Sequence, residues 1–213
     1  MTIILPVTQE LLNGFGAVAP HMAGRTEPNL HCVRVTRWTI SATCRYSAAM
    51  YEHTTYEESV QRYGEAGPSD PDMRVVIPAN VVTEIVKHKI AKTGETLLIL
   101  THTSATFTVD AETVWQQAWI DTSKANYPPV ERLFPDVTDL PIDYTPQHLG
   151  SGMLALVAKS GQALGKGTKQ GPAALRFQYE QAPIGVAKAR PVLVTSGRLS
   201  MIVQPVTPTG GAQ

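Results

Sequence analysis

Apolar positions along the chain switch between two periods, and the switching repeats. After Thr8, the residues Leu11, Leu12, Phe15 and Val18 fall on one helical face, with Thr8 placed as N-cap and Pro20 and Gly24 as stops. Residues 30–35 and 38–49 are rich in β-branched and aromatic side chains and read as strands. A polar stretch holding Gly64, Gly67, Pro68 and Pro71 reads as a loop. The pattern then restarts. Residues 74–77 make a short strand, and Pro78 opens a helix with Val81, Val82, Ile85 and Val86 on its buried arc. Strands near 96–101, 105–110 and 113–121 complete this second unit.

A third unit covers residues 142–206. Thr145 is positioned to cap a helix with Pro146 at its first position and Leu149, Met153, Leu156 and Val157 on a shared face. Strands at 173–179, 189–195 and 199–206 follow, the last two folding around a turn and ending in an apolar tip locked by Pro205. A helix followed by strands thus occurs three times, with a leading strand legible in the second unit, which predicts an α+β fold.

Composition narrows the function. Eighteen basic and eighteen acidic residues give a formal net charge of zero, so any attraction to nucleic acid is local and not a global field. The two cysteines, Cys32 and Cys44, lack metal or redox spacing, and the N-terminus lacks the pattern of a signal sequence, which together predict a reduced, cytoplasmic setting. No apolar run approaches the roughly 20 residues that cross a bilayer. The six histidines are dispersed, so no metal and no cofactor is predicted. Gly161 to Thr168 imitates a phosphate loop, but the spacing is one residue short, Gly167 stands where a hydroxyl residue is required, and a helix precedes it; it reads as a basic helix exit. No activated nucleophile motif is present, and the chain is expected not to be an enzyme.

Three segments carry a family likeness. Ala42-Thr43-Cys44-Arg45-Tyr46-Ser47-Ala48-Ala49 tracks, with three substitutions, a strand end of the form Ala-Thr-Asp-Arg-Tyr-Arg-Leu-Ala. Tyr127-Pro128-Pro129-Val130-Glu131-Arg132-Leu133-Phe134-Pro135 tracks a Phe-Pro-Asp-Tyr-Arg-Arg-Val-Leu-Pro linker. Val203-Gln204-Pro205-Val206-Thr207 stands where a Val-Met-Pro-Met-Arg ending belongs. In this order the chain resembles the beta-subunit sliding clamp of bacterial DNA polymerase III, and its shortness suggests a phage or mobile-element version.

The resemblance implies half-domains with helices toward DNA and antiparallel sheets outside. Residues 1–136 would form one complete domain from halves at about 1–70 and 73–136, residues 137–207 a third half-domain, and 208–213 a disordered tail. Four chains of three halves would supply the twelve that two chains supply in a cellular clamp. The implied function is a non-catalytic processivity factor that encircles duplex DNA without sequence preference. It would tether a DNA polymerase, and accept clamp-loader tails, through an apolar groove. That groove is expected from Thr43 and Ala48 on one wall, Pro128, Arg132 and Leu133 beneath, and Ile202, Gln204, Pro205 and Val206 closing it. Ala48, Gln204 and Thr207 replace a larger leucine, a methionine and an arginine, which predicts a wider, more polar pocket. The expected DNA-facing cations are Arg25, Lys87, Lys89, Lys92, Lys159, Lys166 and Lys169, although cations near a helix C-terminus also simply suit its dipole. The alternative is a clamp-derived interaction module that binds replication partners without encircling DNA, which the odd half-domain favours.

Overall fold

The computed structural model describes residues 2–54, 58, 74–134, 149–167, 171, 173–179 and 191–205. The loop glycines and prolines of 64–71, the Thr145–Pro146 cap, Thr168, Lys169, Val206 and the tail lie outside them.

Helix α1 (Gln9–Val18) starts where its cap predicts, since the Thr8 hydroxyl oxygen accepts from the Leu11 N–H at 3.0 Å. Leu11, Leu12, Phe15 and Val18 are buried, and so is almost every other residue after Glu10, because α1 lies between two more helices. Those are α2 (Ala79–Lys87) and α3 (Ser151–Leu164). Two glycines, each costing about 1 kcal/mol in helix propensity, permit this crowding. A Cβ on Gly14 would stand 2.3 Å from the Tyr51 ring, and one on Gly16 would meet Ala163 at 3.3 Å and Val86 at 3.6 Å.

Two antiparallel sheets flank the helices. One is four-stranded, with β1 (Thr2–Pro6), β6 (Thr96–Thr101), β7 (Ser104–Val109) and β8 (Glu112–Ala118) in that order. The other runs β5-β2-β3-β4-β11-β10-β9. Its members are β5 (Arg74–Pro78), β2 (Cys32–Thr36), β3 (Thr39–Cys44), β4 (Ser47–Glu52), β11 (Leu199–Val203), β10 (Val192–Ser196) and β9 (Arg176–Tyr179). The first strand of each of the first two units crosses to the other's sheet: β1 pairs with β6, and β5 with β2. The third unit joins by its last strand, with Leu199 to Val203 opposite Tyr51 to Ser47.

Two readings of the sequence are corrected. The segment 38–49 is no single strand but a hairpin, turning at Arg45-Tyr46, a pair without the glycine, asparagine or proline that marks a turn. Helix α3 begins at Ser151, with Gly150 as its N-cap and Leu149 ahead of it, and its buried face is Val157, Ser160 and Gly161. Its C-terminus is satisfied from α1: the buried Asn13 side-chain amide donates to the Leu164 carbonyl at 3.1 Å and the Lys166 carbonyl at 2.8 Å. The imitation phosphate loop therefore spends carbonyls on α1.

His21, at the end of the 3-10 turn Ala19–His21, is fully buried between the first and third units. Its Nε2 lies 3.1 Å from Ser160 Oγ and its Nδ1 3.0 Å from Ser47 Oγ. Ser160 spends its single proton on the Leu156 carbonyl at 3.1 Å, so it accepts from His21, which places the ring proton on Nε2. Nδ1 then accepts from Ser47, whose oxygen is 3.2 Å from Cys44 Sγ and can accept its proton.

The segment 119–134 leaves the four-stranded sheet and crosses the outer face of the larger one. Thr122 Oγ1 donates to the Val76 carbonyl at 2.9 Å, and Tyr127 and Val130 bury against Cys32, Ala48 and Val76. Glu131 pairs with the Arg34 guanidinium, whose side chain is 8% exposed, and accepts from Thr39 Oγ1 at 3.2 Å.

Two outcomes are expected. Burial lowers the His21 pKa from 6.5 to about 4. The unfolded chain therefore takes up a proton between those values that the folded chain refuses, and stability is complete above pH 6.5 and falls toward pH 4. Denaturant titration at pH 7 and pH 4 should show the wild type losing about 3 kcal/mol more than His21→Asn does. Glu131→Ala should destabilise by about 3 kcal/mol because it strands a buried guanidinium, while the double change Arg34→Met, Glu131→Leu should cost much less; urea midpoints decide.

Candidate functional site

One transverse row of the large sheet makes the floor of a groove. Thr43 lies opposite Ala48, Ala48 opposite Ile202, Ile202 opposite Leu193, and Leu193 opposite Gln178. Directly opposed residues share a face, so these five side chains line up on the side away from the helices, while Ala42, Ala49, Met201, Val203, Val192 and Val194 bury inward. At a strand spacing of about 4.8 Å the row is about 19 Å long, which matches an extended peptide of five or six residues. Over it opens a cleft of about 330 Å³, walled by Leu133, Tyr46, Cys44 and Pro191.

The ends of the cleft are pinned by backbone. The Gln204 N–H donates to the Tyr46 carbonyl at 2.8 Å, fastening the end of β11 to the β3–β4 turn. The Thr43 hydroxyl is held by the Cys44 and Ser47 carbonyls, both at 2.9 Å. Leu133, 53% exposed, is carried to the rim because Tyr127, Val130 and Glu131 fix the segment before it. Tyr46 is exposed on the other rim. Gln178 is the polar exception on the floor: it is 4% exposed, and its Oε1 has no partner among the described residues. A buried acceptor left unpaired is costly, so the groove offers one position for an incoming N–H.

The structure brings some of the expected groove residues together and leaves others apart. Thr43, Ala48, Leu133, Ile202 and Gln204 come together in the cleft, from three segments far apart in the chain. Pro128, Arg132 and Pro205 do not line it. Pro128 stays beside the buried anchor Tyr127, Arg132 points into solvent, and Pro205 is buried. Sequence reasoning missed Gln178, Pro191, Leu193 and the turn residues Cys44 to Ser47. Leu193 was within reach, since it and Ile202 are symmetric about the Gly197-Arg198 turn.

The expected DNA-facing cations Arg25, Lys87, Lys89, Lys92, Lys159 and Lys166 are all exposed. Lys87, in the last turn of α2, is partly neutralised by Glu84 at 3.0 Å. Among the described residues no cluster of His, Cys, Asp and Glu could hold a metal ion, and no helix is long and apolar enough to cross a membrane.

No family model and no curated protein matches the sequence. Solved structures do. The DNA polymerase III subunit beta of Pseudomonas aeruginosa superposes with a TM-score of 0.60 at 15% identity, over 96% of this chain and 66% of that one. The beta sliding clamp of C. crescentus gives 0.61 at 13% identity over 97% and 65%. The Thermotoga maritima beta subunit gives 0.54 at 14% over 100% and 65%. The chain thus spans about two thirds of the length of the clamps it matches. At these identities the likeness is one of architecture: the helices and antiparallel sheets of this chain have the fold of the bacterial DNA polymerase III beta sliding clamps.

Proposed function

We propose that the chain is a non-catalytic processivity clamp, a homo-oligomeric ring around duplex DNA that tethers a replicative polymerase through the groove that crosses β4 and β11. The observation that carries this is the groove itself: a clamp-like fold that brings the linker leucine and the β11 isoleucine into one largely apolar cleft. Rigidity suits it to capture of short tails. The floor is sheet, and both rims are tied down, so a ligand with leucine or phenylalanine anchors orders little of the protein on binding. Arg132, exposed beside Leu133, is the cation available to an acidic residue of such a tail, and Gln178 the acceptor for a donor at its deeper end. Sequence-independent DNA contact would come from the exposed lysines of α2, α3 and their exits, acting on phosphates. Residues 1–136 would be one clamp domain and 137–207 a half-domain, with four chains per ring, in the cytoplasm of a host or as a phage or mobile-element product.

A second reading draws support from the charge. Glu84 neutralises one of the expected cations, Lys87, and the chain as a whole carries no positive surplus, which fits a module that binds replication partners without encircling DNA. Retention on closed circular DNA that is lost on linearisation separates the two.

Leu133→Ala and Ile202→Ala should each weaken binding of a peptide with spaced leucine and phenylalanine by about five- to a hundredfold, with mass unchanged. A wild type that binds none of a broad peptide panel overturns the groove. Changing Lys87, Lys89, Lys159 and Lys166 to glutamine should reduce retention on circular DNA at low salt while the melting temperature barely moves, because exposed charges add little to folding. Unaltered retention would show that these helices do not face DNA.

A further inference from the structure

We infer that the side of helix α3 turned away from α1 is an interface, which packs against the same side of α3 in a second copy across a two-fold axis. This rests on the ring reading above and says how its odd unit is completed.

Helix α1 has a helix on each side, so α2 and α3 end the row. The two ends are finished differently. Every exposed residue of α2 is polar, namely Asn80, Thr83, Glu84 and Lys87, as a helix bordered by water requires. Of the exposed residues of α3, by contrast, Gly152, Leu154, Ala155 and Ala158 are apolar, and only Lys159 is charged. With Val157 buried on its inner face, α3 is apolar nearly all round, which is the pattern of a helix covered on more than one side.

Helical spacing locates the uncovered side. Val157 and Gly161 face the sheet, where a Cβ on Gly161 would stand 3.2 Å from Leu175. Ser160 and Ala163 face the first unit, through His21 and Gly16. At about 100° per residue, the side opposite α1 holds Ser151, Leu154, Ala158 and Gln162, while Lys159 projects away from the sheet and clear of it. All four residues are exposed, Leu154 by 45%. None is charged, so this side meets a copy of itself without like-charge conflict, and Ala158 at its centre lets two helix axes approach to about 8 Å. Duplex DNA needs cations, and this side has none. The count of units names the occupant. The first two units are mated by their exchanged first strands, whereas the third is joined only to the first, so the unit left without a mate is the third. Its equal is free only in another copy, and two identical surfaces meet in an isologous contact.

Cross-linking and mass test the contact. In a Cys44→Ser background, Ala158→Cys should form a disulfide with itself on oxidation, because Cβ atoms facing each other across the axis come within the about 3.5–4.5 Å that the bond spans. Thr83→Cys, on the polar end of the row, should not. Ala158→Glu sets two carboxylates against each other at the axis and should raise the concentration needed for assembly about tenfold or more. The position is exposed in the single chain, so circular dichroism and the melting temperature should barely move. Where they show that this variant does not fold, Leu154→Glu replaces it and should weaken assembly likewise. A folded Ala158→Glu or Leu154→Glu chain that keeps the wild-type mass at all concentrations overturns the interface, and so does cross-linking at position 158 that is absent or no greater than at position 83. Cross-linking at 158 without retention on circular DNA removes the ring and keeps this contact; retention on circular DNA without cross-linking at 158 does the reverse.

Discussion

The pairing of β4 with β11 is the contact on which the rest of the molecule depends. It joins residues about 150 positions apart in sequence, and the loop entropy it costs grows only slowly with that separation. Once made, it fuses three strands of the third unit to four from the first two. It lays α3 alongside α1 and turns α1 from a surface helix into a central one. Gly16 and Asn13 of α1 make sense only in that setting, while Gly14 serves the packing of α1 on its own unit. Gly14 clears the Tyr51 ring, Gly16 admits Ala163, and Asn13 closes the end of α3. Remove the strand pairing, and a helix with two glycines and a buried asparagine has little reason to be stable.

The same pairing sets the register of the groove. A one-residue slip of β11 on β4 would turn Ile202 toward the helices and Met201 toward solvent, so the inward packing of Leu199, Met201 and Val203 selects the outward row that a ligand would see. Core and site are two faces of one alignment. The linker adds the remaining wall by a separate route. Tyr127 and Val130 supply burial, and the Arg34–Glu131 pair supplies direction, since a charge pair on a sheet face admits one placement of the chain where apolar contact alone would admit several. Leu133 can therefore be exposed and still positioned.

What could be read from the sequence divides along the range of the forces involved. Helix α1, its Thr8 cap, the Pro78 start of α2 and the strands of the second unit follow from local period and capping, and each is legible. The turn at Arg45-Tyr46 carries no local marker, because its tightness is enforced by pairing with β11 and by the Gln204–Tyr46 bond, both distant in sequence. The start of α3 was displaced by a Thr-Pro pair that is a good local signal. In the groove, residues named from motif likeness divide by whether the motif side chain points outward from the sheet. Thr43, Ala48 and Ile202 do; the prolines punctuate the chain and stay outside the cleft. Gln178 belongs to a strand with no motif at all, and only register brings it to the floor.

The polar junction at His21 follows the same logic on the inner side. Ser47 and Ser160 come from β4 and α3, and His21 from the end of α1, so all three meet only where the first and third units close on each other. A neutral imidazole has one donor and one acceptor, and the site offers one of each. Its hydrogen bonds therefore run in a single direction, from Cys44 through Ser47 and the ring to Ser160 and the Leu156 carbonyl. Because Cys44 also lines the groove, these hydrogen bonds link the groove face of the sheet to the helix face through a single buried ring. An apolar junction would hold the two units together as well, but its contacts would carry no direction, whereas the hydrogen bonds of His21 fix how β4 and α3 sit about the ring.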